Sequence, residues 1–567
     1  MGEFVLHFFD KNNVKRHIKG IAVILLSLTL ILLSACNKNE SVNKKKRTSS
    51  INPNSTSSNN DAKSNDPDDC ESTKYDNDDS CLSQTTLDEK ISGDYSVESN
   101  VDLPRSDLNE VKFVYNDNKV CNDKTGTPQK SIINDKILEK RTQIMNTQDA
   151  SYDSSKGNVY YISPGGNDNN DGRSPETAVR SLDSIILDSG DTVLFERNSV
   201  FRISEPISVV VPNVSYGAYG KGEKPAIYGS PNNYAKKSFW KPTNKKNVWR
   251  VDFPYKIAGN IVFNHGEDCG VRKKSGLNQL TENGQFYHNV ADSYLYLYFD
   301  KGNPADYYSD IEICPESSIF SIASEVSNIK IDNITMKYTG FLGVDCKNAN
   351  NNITITNCIV AWIGGSGSNP RWGNGVQWWN GSHDNTVKNC WFYQIFDTAI
   401  TPQGYTGNDY YNFNFADNLI EYCCCGVELW DNGSQGNGKI SSFKNIVIEN
   451  NIMRACAYGF GNRLYDDGIR GIEGHIRFGT AGKKFNISIL NNIFDTSFCS
   501  SINWYDSSSK DGIFTVKGNS IYQNSAHYTV TSDVSFNSKE FFVKNQAELE
   551  EAWRFFDTAP GVIKWLG

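Results

Sequence analysis

The sequence predicts an all-β solenoid, a run of short strands wound into stacked parallel coils. Three observations lead there. A strand–asparagine–strand phrase recurs six times, as IKIDNITM, ITITNCIV, NTVKNCWF, NFADNLIE, IVIENNIM and ISILNNIF. Its asparagines (Asn333, Asn357, Asn389, Asn418, Asn450 and Asn491) are 24, 32, 29, 32 and 41 residues apart, which is the period range of solenoids. The chain has 567 residues, long for one ordinary globular domain, yet only 38% are hydrophobic and the mean hydropathy is -0.52. Antiparallel hairpins would also give short strands and Asn-rich turns. They rarely keep one residue type at one point over six units.

The elements follow in chain order. Lys11, Lys15, Arg16 and Lys19 precede the apolar run Ile21–Leu33, a charged region followed by a hydrophobic one too short to span a bilayer comfortably. The run ends in Leu33-Ser34-Ala35-Cys36, which resembles the bacterial lipobox. The resemblance implies that 1–36 is a lipoprotein signal, that Cys36 becomes lipidated, and that the protein is held outside the cytoplasm by a lipid anchor alone. Residues 37–156, rich in Asn, Asp, Ser and Lys, read as a disordered tether. Within it, Ile132–Ile144 has some helical character but stands isolated.

Composition changes at Gly157. Asn158–Ile162 is a β-rich run and GGNDNNDG a turn cluster. Ser174 is placed as the N-cap of a helix whose apolar face is Ala178, Leu182, Ile185 and Ile186. YYISPGGNDNNDGRSPETAVRSLDSI, then GDTVLFERNSVFR and YGAYGKGEKPAIYG, resemble the opening of bacterial proteins of the pectin-lyase-like superfamily. The resemblance implies a right-handed parallel β-helix over 157–535, with a short helix over its open end and a C-terminal cap over 536–567. The cap contains an amphipathic helix at QAELEEAWRFF. Because that superfamily includes lyases, hydrolases, epimerases and adhesins, the fold does not choose a reaction.

In the repeat, alternate residues face inward and outward, so stacked asparagines form a ladder at the bend. Most of the fourteen cysteines fall in apolar strand patterns and read as small buried hydrophobes, not as disulfides or zinc ligands. Cys70 and Cys81, in the tether, could pair. A net charge of -9 argues against nucleic acid as partner. A monomer is expected.

Six of the eleven tryptophans lie between Trp362 and Trp430. Exposed indoles beside amides and arginine suit sugar rings, which offer a flat apolar face and many hydroxyls. Arg371, Trp378, Trp379, Gln403, Trp430, Asn462 and Arg463 are therefore candidate polysaccharide-binding residues. Consecutive Trp378 and Trp379 point oppositely, so at most one is core. Asp397, Glu428, Asp466, Asp467, Arg470 and His475 are candidate catalytic groups. A hydrolase needs a carboxylic acid and a carboxylate, whereas a lyase acting on a uronate needs a base and a neutraliser for the sugar carboxylate. Calcium held by Asp466 and Asp467 could be that neutraliser. The Asp-Asp and Gly-His pairs lie too close together, and Asn-Thr-Asp is missing, for the polygalacturonase pattern. The expected activity is cleavage of a polysaccharide. A non-catalytic carbohydrate binder or adhesin is the alternative.

Overall fold

The computed structural model describes residues 131–152, 155–273, 275–367, 372–405, 407–432, 441–462, 474–479, 484–498, 500–504, 513–524, 534–536, 539–541 and 543–567. Three ten-stranded sheets run along it, each taking one strand per coil in chain order. One coil is Ser327–Asp332 in sheet I, Thr335–Thr339 in sheet II and Val344–Cys346 in sheet III. The next is Asn351–Thr356, Ile359–Ile363 and Val376–Trp379, each paired parallel to its counterpart. A hairpin, Val534–Phe536 with Lys539–Phe541, makes the far edge of sheet III antiparallel. This is the right-handed parallel β-helix that the opening motifs implied, with the hand of nearly all parallel crossovers.

The core is a set of aligned columns inside the coil. In sheet I, Ile331, Ile355, Val387, Phe415, Ile448, Ile489 and Val516 stack on one another. In sheet II, Met336, Val360, Phe392, Ile420, Met453, Phe494 and Ile521 do the same. Each buried side chain of this size contributes about 1.5–3 kcal/mol.

The sheet I–sheet II corner explains the repeated phrase and corrects one member of it. Asn333, Asn357, Asn389, Asp417, Asn450 and Asn491 all have φ between +52° and +60°, with Gly518 next at +76°. These types tolerate the left-handed bend. Asn418, expected at this point, is one residue beyond it and belongs to a second column inside the coil. There the Asn418 and Asn451 backbone N–H groups donate to the Oδ1 of Asn451 and Asn492, 2.9 Å each, and Asn519 receives from Asn492 in the same way. Cys390 and Cys358 continue that column downward, with Cys390 N–H donating to Asn418 Oδ1 and Cys358 N–H to Cys390 Sγ. Net hydrogen bonds are worth about 1 kcal/mol each, so burial supplies the stability and the ladder the register. All nine described cysteines are buried, as the strand pattern implied. Cys36, Cys70 and Cys81 lie outside the described residues.

The two ends differ. At the far end, Gln546–Phe556 is helical, and Leu549, Ala552, Trp553 and Phe556 enter the coil's core. Asp557 then closes the ladder by accepting from Asn519 N–H at 2.8 Å. At the near end, Ser174 caps only a 3-10 turn, Pro175–Thr177. The expected helix does not continue because Val179 N–H donates to the Tyr161 carbonyl, extending the sheet instead. Ile186, assigned to its apolar face, is 73% exposed.

Residues 131–152, assigned to the expected tether, lie against the coil. Asn134–Met145 is a helix lying on the outer face of sheet II. Ile137 and Ile144 pack among Trp391, Tyr393, Leu419 and Ile452. Arg141 grips Glu421 with two bonds, Nε–Oε2 2.9 Å and Nη2–Oε1 2.6 Å, with both side chains fully buried. Arg454 Nη1 and Trp391 Nε1 also donate to Glu421, at 3.1 and 3.0 Å. Burial alone would raise the Glu421 pKa, but Arg141 and Arg454 hold it below the usual carboxylate range. Thr147 then donates to Asn333, and Asp149 pairs with Arg197, so the segment spans several coils.

Residues 230–315 form an insertion between Ala226–Tyr228 of sheet II and Phe320–Ile322 of sheet III. It has a five-stranded and a three-stranded sheet around Trp240, Val251, Phe253, Ile261, Phe286 and Leu297. The Arg202 fork fixes it to the coil through both oxygens of buried Glu312, at 2.8 Å each.

Removing Arg141 would leave Glu421 as a buried charge short of its main partner. Arg141→Ala is expected to cost about 3–5 kcal/mol. Chemical denaturation read by tryptophan fluorescence tests this, and a loss below about 1 kcal/mol, within the range of an exposed pair, would refute the docked-helix account.

Candidate active-site wall on sheet III

The strands of sheet III carry an apolar–polar–apolar triplet: Val344-Asp345-Cys346, Val376-Gln377-Trp378, Ile400-Thr401-Pro402, Val427-Glu428-Leu429, Ile476-Arg477-Phe478. The flanking residues enter the coil. Alternation turns the middle one outward. Pairing aligns the middle residues, Asp345 beside Gln377, Gln377 beside Thr401, and Glu428 beside Arg477, with Asn503 after it. Ile400 and Gln403 pair with Val427 and Trp430, so Thr401 stands beside Glu428. A second outward column runs Trp379, Gln403, Trp430.

The wall is a connected, largely buried polar layer. Glu428 Oε1 lies 3.3 Å from Arg477 Nη1, and Thr398 Oγ1 is 3.4 Å from Glu428 Oε2. Gln377 Oε1 accepts from Asn374 Nδ2 at 2.8 Å and from Gln403 Nε2 at 2.6 Å, and Thr401 Oγ1 is 3.3 Å from Gln403 Oε1. Lys347 pairs with Asp345. Burial raises the Asp345 pKa against the pull of Lys347. Glu428 is 7% exposed and the Arg477 side chain 25%, so the acid forms the floor and the guanidinium reaches outward. Trp379 and Trp430 are half-buried beside them. Trp379 packs edge-on to Tyr405 at 5.5 Å. Trp430 lies over Gly479, where a Cβ would come within 2.1 Å of its ring.

The structure brings together Trp379, Gln403, Glu428 and Trp430 from the sequence-derived set. Asp397 is buried at the turn into Thr398–Tyr405, its N–H donating to the Gly373 carbonyl and its carbonyl accepting from Cys425 N–H. Trp378 is a correction. It is fully buried, 5.2 Å from Phe413 and 6.1 Å from Phe415, because its neighbours in the column, Cys346 and Pro402, leave room for an indole. His475 is another. It is fully buried, stacks on Phe494 at 5.5 Å and has no hydrogen-bond partner on either ring nitrogen. Burial lowers its pKa to about 3. A ring inside the coil cannot meet substrate.

Arg371, Arg463, Asp466, Asp467 and Arg470 lie outside the described residues, as does the side chain of Asn462. Among the described residues no group of three or more His, Cys, Asp or Glu is placed to hold a metal ion. Sequence reasoning left Asp345, Thr401 and Asn503 unnoticed. The triplet is the signal that could have found them.

Nearby, Arg272 of the insertion donates to the carbonyls of Gly365 and Gly367, at 3.0 and 2.6 Å. Gly367 N–H in turn donates to Glu316. These bonds brace the connection leading into Val376–Trp379, so the insertion helps to shape one side of the wall.

No family model and no curated protein matches the sequence. Solved structures to which the chain is similar include a glycoside hydrolase at 12% identity, covering 72% of this chain and 96% of that one, with a TM-score of 0.42. A pectate lyase is 14% identical over 68% and 74%, with a TM-score of 0.36. A rhamnogalacturonan lyase is 13% identical over 72% and 88%, with a TM-score of 0.34.

The buried imidazole has a consequence for acid stability. Unfolded, it titrates near 6.5 and in the fold at about 3. Between those values the unfolded chain binds the extra proton, so stability falls as pH drops from about 6.5 towards about 3. His288, lowered to about 4 by burial, acts in the same direction. His475→Phe, which keeps the stack on Phe494, is expected to move the acid-unfolding midpoint to lower pH. An unchanged midpoint by circular dichroism would contradict an inward, neutral His475.

Proposed function

We propose that the protein binds a polysaccharide along the outer face of sheet III and cleaves it, with Glu428 as the central proton-transfer group. The observation that carries this reading is the meeting of Glu428 and Arg477 beside Trp430, on a floor otherwise lined by amides and hydroxyls. A carboxylate held beside a guanidinium suits a base or nucleophile. The half-buried indoles offer stacking faces for sugar rings, with Gln403 between them.

Hydrolysis needs a second carboxyl group. Asp345 is three coils from Glu428, about 14 Å at ~4.8 Å per strand. Paired carboxyls of inverting enzymes are about 6.5–9.5 Å apart, and those of retaining enzymes closer. Asp345 is therefore set aside as the partner, and Asp397 is assigned to it, since Thr398, the next residue, already touches Glu428. For elimination from a uronate, Glu428 would be the base and Arg477 the neutraliser, with calcium at Asp466 and Asp467 in the same role. The protein would work as a monomer, lipidated at Cys36 and displayed outside the cytoplasm. No described helix is long and apolar enough to cross a membrane.

The test is to incubate the full chain with a polysaccharide panel and follow ultraviolet absorbance and reducing ends together. New reducing ends alone indicate hydrolysis, and both signals indicate elimination. Glu428→Gln is expected to lower kcat by about 10²–10⁴-fold, and Trp430→Ala to raise KM. Binding without product would leave the adhesive alternative in place of catalysis. Full activity in Glu428→Gln would remove the residue from its role.

A further inference from the structure

Resting on the reading of sheet III as a polysaccharide wall, we infer that Trp372 is a further sugar-contacting residue and that Arg272, from the insertion, is the positioning residue that holds it at the wall's edge. Trp372 lies in the connection from Ile359–Ile363 of sheet II to Val376–Trp379 of sheet III. In that second strand Gln377 faces outward and Trp379 follows it. Trp372 precedes the strand, so it stands on the edge of the wall opposite Trp379 and Trp430. The carbonyl of Gly373, the next residue, accepts from Asp397 N–H at 3.0 Å, and the Asp397 carbonyl accepts from Cys425 N–H at 3.0 Å. Cys425 opens the strand that carries Glu428. Trp372 is therefore next to Asp397 and two coils below Glu428, about 10 Å at ~4.8 Å per strand. Its ring is half-buried, and its indole N–H has no hydrogen-bond partner among the described residues. The indoles of Trp240, Trp249 and Trp391, by contrast, donate to carbonyl or carboxylate oxygens. A half-exposed ring with an unused donor matches a sugar, which offers a C–H face and hydroxyl acceptors together.

The backbone carrying Trp372 is fixed from the insertion's side. Trp372 N–H donates to the Ser366 carbonyl at 3.1 Å, and its own carbonyl accepts from Gly365 N–H at 2.7 Å. Arg272 Nη1 donates to the carbonyls on either side of Ser366, those of Gly365 and Gly367. Glu316 accepts from Gly367 N–H at 3.1 Å, and Ser366 N–H donates to the Gly340 carbonyl of the coil at 2.8 Å. Gly365–Gly367 is thus bonded to Trp372 on one side, and to the insertion and the coil on the other. The contact with the insertion is also backbone to backbone. Gly365 has φ +98°, and a Cβ there would come within 2.6 Å of the Gly259 carbonyl oxygen. A Cβ at Gly259 would meet Ser366 N at 2.7 Å. With no side chains between them, the two backbones have no slack to absorb a shift. Arg272 is 6% exposed and acts on the wall through this connection. Its charge makes each bond to a carbonyl stronger than one between neutral groups. Removing the guanidinium would therefore loosen the support of Trp372, while the ladder bonds of sheet III stay in place.

The experiment uses the full chain and the one of xylan, β-glucan, polygalacturonate and rhamnogalacturonan that it cleaves fastest, or binds most tightly if it cleaves none. Trp372→Ala, Trp372→Phe, Arg272→Ala and the Arg272→Ala/Trp372→Ala double variant are compared, each checked for native circular dichroism. Trp372→Ala is expected to raise KM, or Kd for a glycan bound without cleavage, by about tenfold, with a smaller effect on kcat. Trp372→Phe, which keeps a ring face, should recover most of that loss. Arg272→Ala should raise KM by a similar factor and speed hydrogen exchange at Gly364–Gly367 and Trp372–Asn374, while Thr398–Tyr405 keeps its protection. The double variant should be no worse than Trp372→Ala alone within about twofold, since both changes remove one contact. A KM for Trp372→Ala within about twofold of the unaltered chain would overturn the sugar contact and leave the polysaccharide reading standing. Losses that multiply in the double variant, or unchanged exchange in Arg272→Ala, would overturn the positioning role. If the unaltered chain neither binds nor cleaves any of the four glycans, the polysaccharide reading itself fails, and this inference with it.

Discussion

Everything in this fold depends on each coil repeating the register of the coil beneath it. The backbone enforces that at the sheet I–sheet II corner, where a left-handed residue turns the chain and the next side chain bonds the same point one level away. Asn418, Asn451, Asn492 and Asn519 each accept a backbone N–H from the coil beneath and donate their Nδ2 to a backbone carbonyl of that same coil. A slip by one residue would break this column and turn every core side chain outward. In the lower coils Cys358 and Cys390 replace the amide with a sulfur, a poorer acceptor but a smaller and more apolar one. The ladder therefore grades from apolar to polar along the axis and ends on a carboxylate, Asp557, which accepts without needing to donate.

Fixed register is what makes a surface chemistry available to residues remote in sequence. Asp345 and Arg477 are separated by more than a hundred positions, yet they stand in one outward column of sheet III. Because the connections on either side of that sheet differ in length from coil to coil, its strands can keep their alignment while the chain between them changes. The scaffold is rigid and the rims are free to vary, a division of labour common where binding residues sit on loops around regular structure.

Much of this was legible in the sequence, and what was not has a physical reason. The repeated asparagine phrase marks a corner of constant geometry, so it survives as a pattern. Sheet III carries only the shorter apolar–polar–apolar triplet, with no corner residue type to mark it. Its strands can be as short as Val344–Cys346, and the turns before them run from two residues to about twenty. Glu428 could be placed because Trp430 lies two residues away on the same face. The partition of Trp378 and Trp379 needed the depth of Cys346 and Pro402 beside them, which alternation alone does not give. His475 was misjudged because it follows a column of small inward residues, Gly375, Ala399 and Gly426, and so inherits their direction despite its polarity. The Asn134–Met145 helix looked isolated because its anchor, Glu421, is 280 residues from Arg141.

The same helix changes how the molecule would respond to being pulled. With its flanking residues Ser131 and Asp149 it crosses several coils, from Asp495 through Glu421 to Arg197. Tension arriving from the N-terminal side must load this strap before it can peel the first strand, and it does so across several coils at once. The buried arginine–glutamate grip would thus take the load first and leave sheet III undisturbed.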